Sequence, residues 1–454
     1  MRLRRKIMAE ALKQVVTPAV ERELKRFEAA RGSLPGASQA WVEQFRTNAV
    51  EHFARTGFPT TRIESWKYTD LRHVFRNEFS GAPGNIEDFD TPSLLPEGDG
   101  PVVTFVDGVF SQSLSSIGKL ADGVRVLPLS QALDAGDRGL EETLGTVAAL
   151  DSPTLAGLNA AMMQDGAYID VSDEVELAAP VRIVCLTSNG FCGAAHLRHV
   201  IRLGRNARAT VLQAYFGTDG AIGLSNTVTE CRVEDGAALN LIKRQEEDIG
   251  AWHMGLVAAE VGRDASFDAF TLSSGGRTAR NEIRVTLAGE GANARLNGLA
   301  LGRGRQHCDN TTDILHAVPQ GTSGQLYKSV VDDSARSVFL GRIEVAPDAQ
   351  KTDARQMNRS LLLSPSAQAD SKPELIIHAD DVKCAHGATV GDLDEEAMFY
   401  LRSRGVSRRE ARGLLVQAFA GETLENVEDE TIMKWLEDGL LRWLEQSGEK
   451  ELAA

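Results

Sequence analysis

The sequence predicts a mainly β protein whose core is a right-handed parallel β-helix, flanked by N-terminal and C-terminal α-helical regions. From about residue 167, short β-like segments alternate with corners made of Gly, Asp and Asn, which is typical of stacked coils. Helical periodicity is concentrated near the two ends of the chain. The chain contains 42 Gly residues and only 6% aromatic residues, a balance that fits many tight turns and thin, close-packed layers.

Three regions follow from these patterns. The chain has 454 residues, of which 42% are hydrophobic, so it can bury a sizeable core. We expect a helical region with a linker at 1–100, the β-helix core at 101–391 and a helical domain at 392–454.

The N-terminal region contains two predicted helices. Mixed three- and four-residue spacing of apolar side chains predicts one helix over 7–30, kinked or split at Pro18. A second helix is predicted over about 38–56, with Ser38 as its N-cap. Helical spacing also appears within 128–165, which predicts a helical excursion before the main run of strands.

The core is predicted from one recurring unit, a polar corner followed by Ala and then by alternating residues. It occurs as Gly-Arg-Asn-Ala at 204–207, Glu-Asp-Gly-Ala at 234–237, Gly-Arg-Asp-Ala at 262–265 and Gly-Glu-Gly-Ala at 289–292. The four alanines lie 30, 28 and 27 residues apart, which suggests coils of about 28 residues with a strand in each half. No hexapeptide repeat is present, which disfavours a left-handed β-helix. An antiparallel sandwich is a weaker alternative, because two-residue hairpin signals are scarce.

Three helices are predicted after the core. Asp392 with Glu395, and Ser407 with Glu410, have the spacing of capping boxes that open the first two. The third helix, from about residue 428, has a wide apolar stripe with two tryptophans. The three helices either bury their stripes against each other or use part of the stripe to bind another protein, since Trp is enriched in such interfaces.

Composition restricts the compartment and the partners. The net charge of −15 argues against nucleic acid or an anionic membrane as the main partner. No apolar run is long enough for a transmembrane helix, and the basic start is not followed by the apolar segment of a signal peptide. Met8 is a second candidate initiator. The five cysteines are scattered without a C-x-x-C pair, so we expect no disulfide framework and a reducing cytoplasm.

The most suggestive chemical pair is Cys384 with His386, within the run 380–391. If this run is a strand, positions two apart share a face. A thiolate and an imidazole suit zinc, copper or iron–sulfur chemistry. A structural metal site normally needs four ligands, and no second Cys or His pair lies nearby at ligand spacing. We therefore expect half of a site, completed by another strand or another chain.

Other candidate motifs are weaker. His307 and Cys308 are adjacent and would diverge in a strand, which favours structural roles. His196 and His199 follow a cysteine at helical rather than strand spacing, so a metal role there is disfavoured. Cys185 is most simply a core residue. The sequence contains no Walker A motif, no G-x-S-x-G elbow and no H-E-x-x-H motif.

Long runs of the chain resemble the SufB/SufD family. They comprise 341–354, 358–363 and 380–391, the last continuing through 393–397 to 400–405. These near-contiguous matches are highly specific, and the resemblance extends over nearly the whole chain from about residue 8.

Within that family, two segments favour the SufD branch. They are Lys-Cys-Ala-His-Gly at 383–387 and Trp-Lys-Tyr at 66–68. Ala385 stands where Ser is common in the family, and its side chain should face away from those of Cys384 and His386. The resemblance is weakest over 75–165.

The resemblance implies a subunit of the sulfur-mobilisation machinery for iron–sulfur cluster assembly, with a right-handed parallel β-helix. It implies a heterodimer with SufB through the last β-helix turns, and binding of the ATPase SufC through the C-terminal helices. A nascent iron–sulfur cluster would form at the SufB interface, and Cys384 and His386 match the positions associated with it.

We therefore expect a non-enzymatic scaffold with a transient cluster, and no cofactor is predicted for the isolated chain. Whether the isolated chain forms a homodimer is left open. The alternatives are a β-helix enzyme acting on polysaccharide and a purely structural adaptor for an ATPase.

Overall fold

Helices lie at both ends of the chain and strands dominate between them. The computed structural model describes residues 17–81, 94–150, 154–218 and 220–452. The helices of these ranges are α1 (Pro18–Ala30), α2 (Ala40–Thr56), α3 (Leu129–Ala135), α4 (Arg138–Thr143), α5 (Ala156–Met162), α6 (Glu395–Ser403), α7 (Arg408–Leu424) and α8 (Glu430–Leu452). The strands are β1 (Val102–Val106), β2 (Val109–Phe110), β3 (Val124–Pro128), β4 (Ala167–Val171), β5 (Val181–Thr187), β6 (Ala194–Leu203), β7 (Arg208–Gly217), β8 (Leu224–Val233), β9 (Ala238–Glu246), β10 (Trp252–Val261), β11 (Ser266–Ser273), β12 (Thr278–Leu287), β13 (Asn293–Gly302), β14 (His307–His316), β15 (Thr322–Val331), β16 (Arg336–Val345), β17 (Asp353–Leu362), β18 (Gln368–Ile377) and β19 (Lys383–Gly391).

Successive strands alternate between two sheets, so each coil of the solenoid contributes one strand to each sheet. Sheet A contains β1, β2 and the odd-numbered strands from β5 to β19, whereas sheet B contains β3, β4 and the even-numbered strands from β6 to β18. Every neighbouring pair is parallel except β1 with β2 and β3 with β4. The predicted parallel β-helix is therefore confirmed, and the antiparallel sandwich is wrong.

The predicted corners share one backbone geometry. Their third residues, Asn206, Gly236, Asp264 and Gly291, have φ values of 57°, 70°, 51° and 75°, in the left-handed region that Gly, Asn and Asp tolerate best. The alanine that follows each of them is at most 1% exposed. The backbone N–H of Gly236 donates to the carbonyl of Arg263 in the next corner at 2.8 Å. Each corner thus reverses the chain, buries a methyl group and bonds to its neighbour.

The two N-terminal helices of the described residues begin at Pro18 and Ala40. α1 begins at Pro18, and the Thr17 side chain accepts a hydrogen bond from the backbone N–H of Val20. Thr17 is extended, with φ of −73° and ψ of 157°, so the backbone is not helical there and Pro18 opens a helix, in agreement with the predicted split. Pro at the first helical position needs no N–H partner. Residues 7–16 of the predicted helix lie outside the described residues. Gln39, rather than Ser38, is the N-cap of α2.

The N-terminal region packs against the outer face of sheet B. Trp66 is buried, and the guanidinium of Arg280 lies 3.9 Å from the centroid of its ring. Arg280 also forms ion pairs with Asp309 at 2.5 Å and with Glu282 at 2.9 Å. Because this cation is desolvated, both carboxylates and the ring are needed to offset its burial.

The C-terminal helices cover part of the outer face of sheet A. Trp435 and Trp443 of α8 lie in one apolar cluster with Val416 of α7 and with sheet residues that include Leu272 and Leu299. The apolar stripe with two tryptophans therefore packs on sheet A as well as on the neighbouring helix. Because the sheet covers it, the stripe is not available to a partner protein. Among the described residues, no helix is long and apolar enough to span a membrane.

Two helix caps differ in how well the sequence predicted them. The predicted cap Asp392 is wrong, since Asp394 accepts hydrogen bonds from the backbone N–H groups of Glu396 and Ala397 at the start of α6. The capping box of Ser407 with Glu410 is confirmed. Asp394 lies only two positions after Asp392, an offset that carboxylate spacing alone does not resolve.

We predict that Ala292→Leu destabilises the solenoid by about 1–3 kcal/mol, because the added atoms would overfill a stacked corner. The matched control is Ala288→Leu, which places the same side chain on an exposed position just before that corner. Urea unfolding followed by circular dichroism measures both variants. Equal loss of stability in the two variants would contradict the role assigned to the corner alanines.

Candidate functional site at the end of the solenoid

The last coil leaves both sheets with an unpaired edge among the described residues. β18 ends sheet B and β19 ends sheet A. All residues of β18 and β19 are partly or fully exposed, unlike the strands of the preceding coils. Unpaired N–H and C=O groups along such edges can pair with strands of another chain.

Cys384 and His386 lie on the same side of β19, as the strand pattern predicts. Their register partners in β17 are Ala354 and Gln356, whose side chains are buried inside the solenoid. Register partners in parallel strands face the same side of a sheet. Cys384 and His386 therefore face the interior, at its exposed end.

We call the inward-facing residues of β19, namely Cys384, His386, Ala388 and Val390, the mouth. Cys384 is half-buried against a small apolar cluster that includes Ala379, whereas the other three residues are exposed. The mouth therefore combines a sheltered thiol with an accessible imidazole.

The chemistry of the pair is set by the surroundings of the thiol. Burial raises the pKa of Cys384, and the carboxylate of Asp353 acts in the same direction, although a hydrogen bond from the backbone of Ala354 opposes them. The thiol consequently keeps its proton at neutral pH until a metal ion or another electrophile displaces it.

The mouth offers two candidate metal ligands rather than a complete set. Among the described residues, no group of three or more His, Cys, Asp or Glu side chains is placed to hold a metal ion. His378 and Asp380 lie in the corner before β19 rather than on the strand itself. The described residues therefore supply only Cys384 and His386 as candidate ligands at the mouth.

The interior directly beneath His386 is polar. Gln356 lies under it in β17, and Gln325 precedes Gln356 in β15. The amide nitrogen of Gln356 lies 3.4 Å from the amide oxygen of Gln325. Within the described part of the chain, the Gln356 amide oxygen and the Gln325 amide nitrogen are buried and have no hydrogen-bond partner.

The histidines near Cys192 do not form a metal site with it. The backbone N–H of Ala167 donates to Nδ1 of His199 at 3.0 Å, and Nδ1 of His196 lies 3.1 Å from the Asn226 amide nitrogen. Burial lowers the pKa of His196 to about 4 and that of His199 to about 3. Both rings are therefore neutral. His199 faces the solenoid interior, whereas His196, three residues earlier in the same strand, faces the outer side of sheet B.

A second polar group inside the solenoid was missed by the sequence analysis. Nζ of Lys243 lies 2.6 Å from Nε2 of His253 and 2.7 Å from Oδ1 of Asn281, and Nδ1 of His253 lies 2.8 Å from a carboxylate oxygen of Glu247. Lys243 belongs to sheet A, whereas His253 and Asn281 belong to sheet B. Strand alternation could have predicted that each faces inward, but not that they meet.

One groove beside the C-terminal helices does not have the carboxylate arrangement that a polysaccharide-cleaving enzyme needs. It has a volume of about 450 Å³ and lies on the outer face of sheet A beside the α7–α8 connection. Arg295 bridges two of its carboxylates, at 2.5 Å from Asp268 and 3.5 Å from Glu428. Both are engaged in ion pairs rather than placed as a free acid and base.

Comparison with known proteins gives a consistent result over most of the chain. Residues 184–419 match the family model described as the SUF system FeS cluster assembly, SufBD core domain. Residues 20–183 match the SufBD protein N-terminal region.

Individual relatives agree with these matches. The iron–sulfur cluster assembly protein SufD of Escherichia coli is 32% identical over 385 residues, which cover 84% of this chain and 88% of that protein. A SufBD-family iron–sulfur cluster assembly protein of Synechocystis is 29% identical over 93% of this chain and 95% of its own length. SufD of Bacillus subtilis is 26% identical over 87% of this chain and 92% of its own length.

We predict that Lys243 makes folding stability depend on pH in the alkaline range. Burial lowers the pKa of its ammonium group to about 7 in the folded protein, whereas an unfolded lysine titrates near 10.4. Between these values the unfolded chain binds a proton that the folded chain lacks, so the contribution of Lys243 to stability falls as the pH drops from about 10 to about 7.

Urea unfolding of the wild type and of Lys243→Met from pH 7 to pH 10 tests this. The free energy of unfolding of the wild type minus that of Lys243→Met should rise with pH, by at most about 1.4 kcal/mol per pH unit. Lys119→Met, at an exposed position, is the control and should give a constant difference. A constant difference for Lys243→Met would contradict the prediction.

Proposed function

This chain belongs to the SufBD family of iron–sulfur cluster assembly proteins, and on that premise we propose that it is a non-enzymatic scaffold subunit acting in the cytoplasm. Its solenoid end pairs with a SufB subunit, and its C-terminal helices bind the ATPase SufC. Cys384 and His386 contribute part of the site at which a transient cluster forms. One observation carries this proposal: a two-ligand half-site lies on a strand whose outer edge is unpaired in the described chain.

The edge strands explain how a partner would complete the site. A partner that adds its own end strands to β18 and β19 extends both sheets across the interface by backbone hydrogen bonds. Its inward-facing side chains would then lie opposite Cys384 and His386, at about one strand spacing, ~4.8 Å. A second copy of this chain would use the same edges, so the homodimer and the SufB heterodimer are mutually exclusive.

The first C-terminal helix is the best candidate for binding the ATPase. No residue of α6 is buried, and Phe399 and Tyr400 are 75% and 58% exposed. Asp394, Glu395 and Glu396 lie beside them in one shallow surface pocket. This exposed, acidic and aromatic face favours a partner with a basic rim around an apolar groove.

We predict that His386→Ala impairs cluster formation while the complex still assembles. Removal of a residue that only hydrogen-bonds to a metal ligand weakens metal binding by about tenfold or more. Removal of the ligand itself should therefore weaken cluster binding by at least that factor. The measurement is iron and sulfide content per complex after co-expression with a SufB-like subunit and an ATPase. His378→Ala removes an exposed imidazole from the preceding corner and should leave the content unchanged. Normal content in His386→Ala would overturn the assignment.

We also predict that Phe399→Ser combined with Tyr400→Ser weakens binding of the ATPase. Loss of an aromatic anchor at an interface costs about 2 kcal/mol or more, so the affinity measured by calorimetry should fall at least tenfold. Ile249→Ser removes a residue that is also 58% exposed, but at a solenoid corner, and should not change the affinity. If the double variant binds as tightly as the wild type, the docking face lies elsewhere.

A further inference from the structure

One column of inward-facing residues changes character toward the end of the solenoid. A column is the set of residues that pair with one another from strand to strand. The column that ends at His386 is apolar in the earlier coils and polar in its last three members. In order it contains Val181, Val211, Leu241, Ala269, Leu296, Gln325, Gln356 and His386.

Gln356 is held in an unusual state within this column. It is 2% exposed, and its amide nitrogen faces the Gln325 amide oxygen at 3.4 Å. Its own amide oxygen is buried and has no partner among the described residues. A buried acceptor without a donor is unfavourable, so its retention here calls for a donor near the end of the column.

Space for this amide is provided by the opposite sheet. Gly341 of β16 faces Gln356 across the interior, and a methyl group on Gly341 would overlap the Gln356 amide. The nitrogen of the amide is turned toward Gln325 in the preceding coil. The oxygen of the amide has no partner in that coil, and the next residue in its column is His386.

We propose that Gln356 is a positioning residue for His386. In the structure the exposed His386 ring is not bonded to this oxygen, so the bond requires the ring to turn inward. The imidazole N–H then donates to the amide oxygen, which fixes the ring in one tautomer. The other ring nitrogen is then unprotonated and faces the mouth, where it can bind iron. Metal-binding histidines usually donate their second N–H to such an acceptor. The iron-binding part rests on the proposed function, whereas the hydrogen bond and the tautomer do not.

The tautomer of His386 can be measured in the full-length chain. Histidine labelled with ¹⁵N gives nitrogen shifts that distinguish the two neutral tautomers, and the His386→Gln variant assigns the signal. In the wild type we expect a single dominant tautomer at alkaline pH. A mixture similar to that of free imidazole would overturn the proposal before any substitution at Gln356 is made.

Substitutions separate a specific bond from general packing. Gln356→Leu should abolish the preference for one tautomer, and Gln356→Glu, which keeps an acceptor, should preserve it. Gly341→Ala should weaken the preference although Gln356 remains, because the amide is displaced. The control is Gln213→Leu, a buried inward-facing glutamine that donates to Thr229 at 2.8 Å in a distant coil, and it should have no effect on His386. An unchanged tautomer in a folded Gln356→Leu protein would also overturn the proposal.

The consequence for iron is tested separately. In the complex with a SufB-like subunit and an ATPase, Gln356→Leu should weaken iron retention roughly 10–100-fold, the range for loss of a hydrogen-bond partner to a metal ligand. In one outcome, the tautomer depends on Gln356 while iron retention is unchanged in both the Gln356 and the His386 variants. That result would confirm the positioning role of Gln356 and overturn the proposed role in cluster assembly.

Discussion

The one-to-one register between coils is the constraint on which the rest of this structure depends. Each strand pairs residue for residue with the strands of the coils before and after it, and the left-handed corner residues keep the chain reversals in step. The N–H of Gly236 bonded to the carbonyl of Arg263 is one rung of that corner ladder. An insertion of one residue in a strand would reverse which side chains face inward in that coil. The interior columns, including the one that ends at His386, exist because the register between coils does not shift.

The polar groups of the interior fall into zones that differ in how fully they are hydrogen-bonded. Lys243, His253 and Glu247 meet in the middle coils and satisfy one another, whereas the column that ends at His386 becomes polar only in the final coils. A buried charge without such partners would be costly. The column that ends at His386 is thus apolar in the early coils and contains Gln325 and Gln356 next to the mouth. The hydrogen-bonded network of Lys243, His253 and Glu247 lies in the middle coils.

The fold could be predicted largely from local signals, whereas packing between elements could not. The corner alanines and their Gly, Asn and Asp neighbours predicted the coils because one backbone geometry recurs at each corner. The stripe with Trp435 and Trp443 correctly indicated that one face of α8 is buried. Periodicity does not specify what buries it, so the packing of this helix on sheet A was missed.

The candidate site shows the same division between local patterns, which were predictable, and contacts between distant residues, which were not. Alternation along β19 was enough to place Cys384 and His386 on one side, because it is a local property of a strand. Gln356 lies 30 residues earlier in the chain and becomes a neighbour of His386 only through register. The meeting of Lys243 with His253 likewise depends on how the two sheets close on each other.

The position of the last coil has a thermodynamic consequence. In a stack of coils, stability is approximately a sum of nearest-neighbour terms, and the coil of β18 and β19 has such a neighbour on one side only. It should therefore exchange its amide protons faster than the interior coils and open without unfolding the rest. A subunit that pairs with both edges supplies the missing neighbour, so association and ordering of the mouth are thermodynamically linked. Since α6 begins soon after β19 ends, a pull on that helix acts on the least supported coil of the molecule.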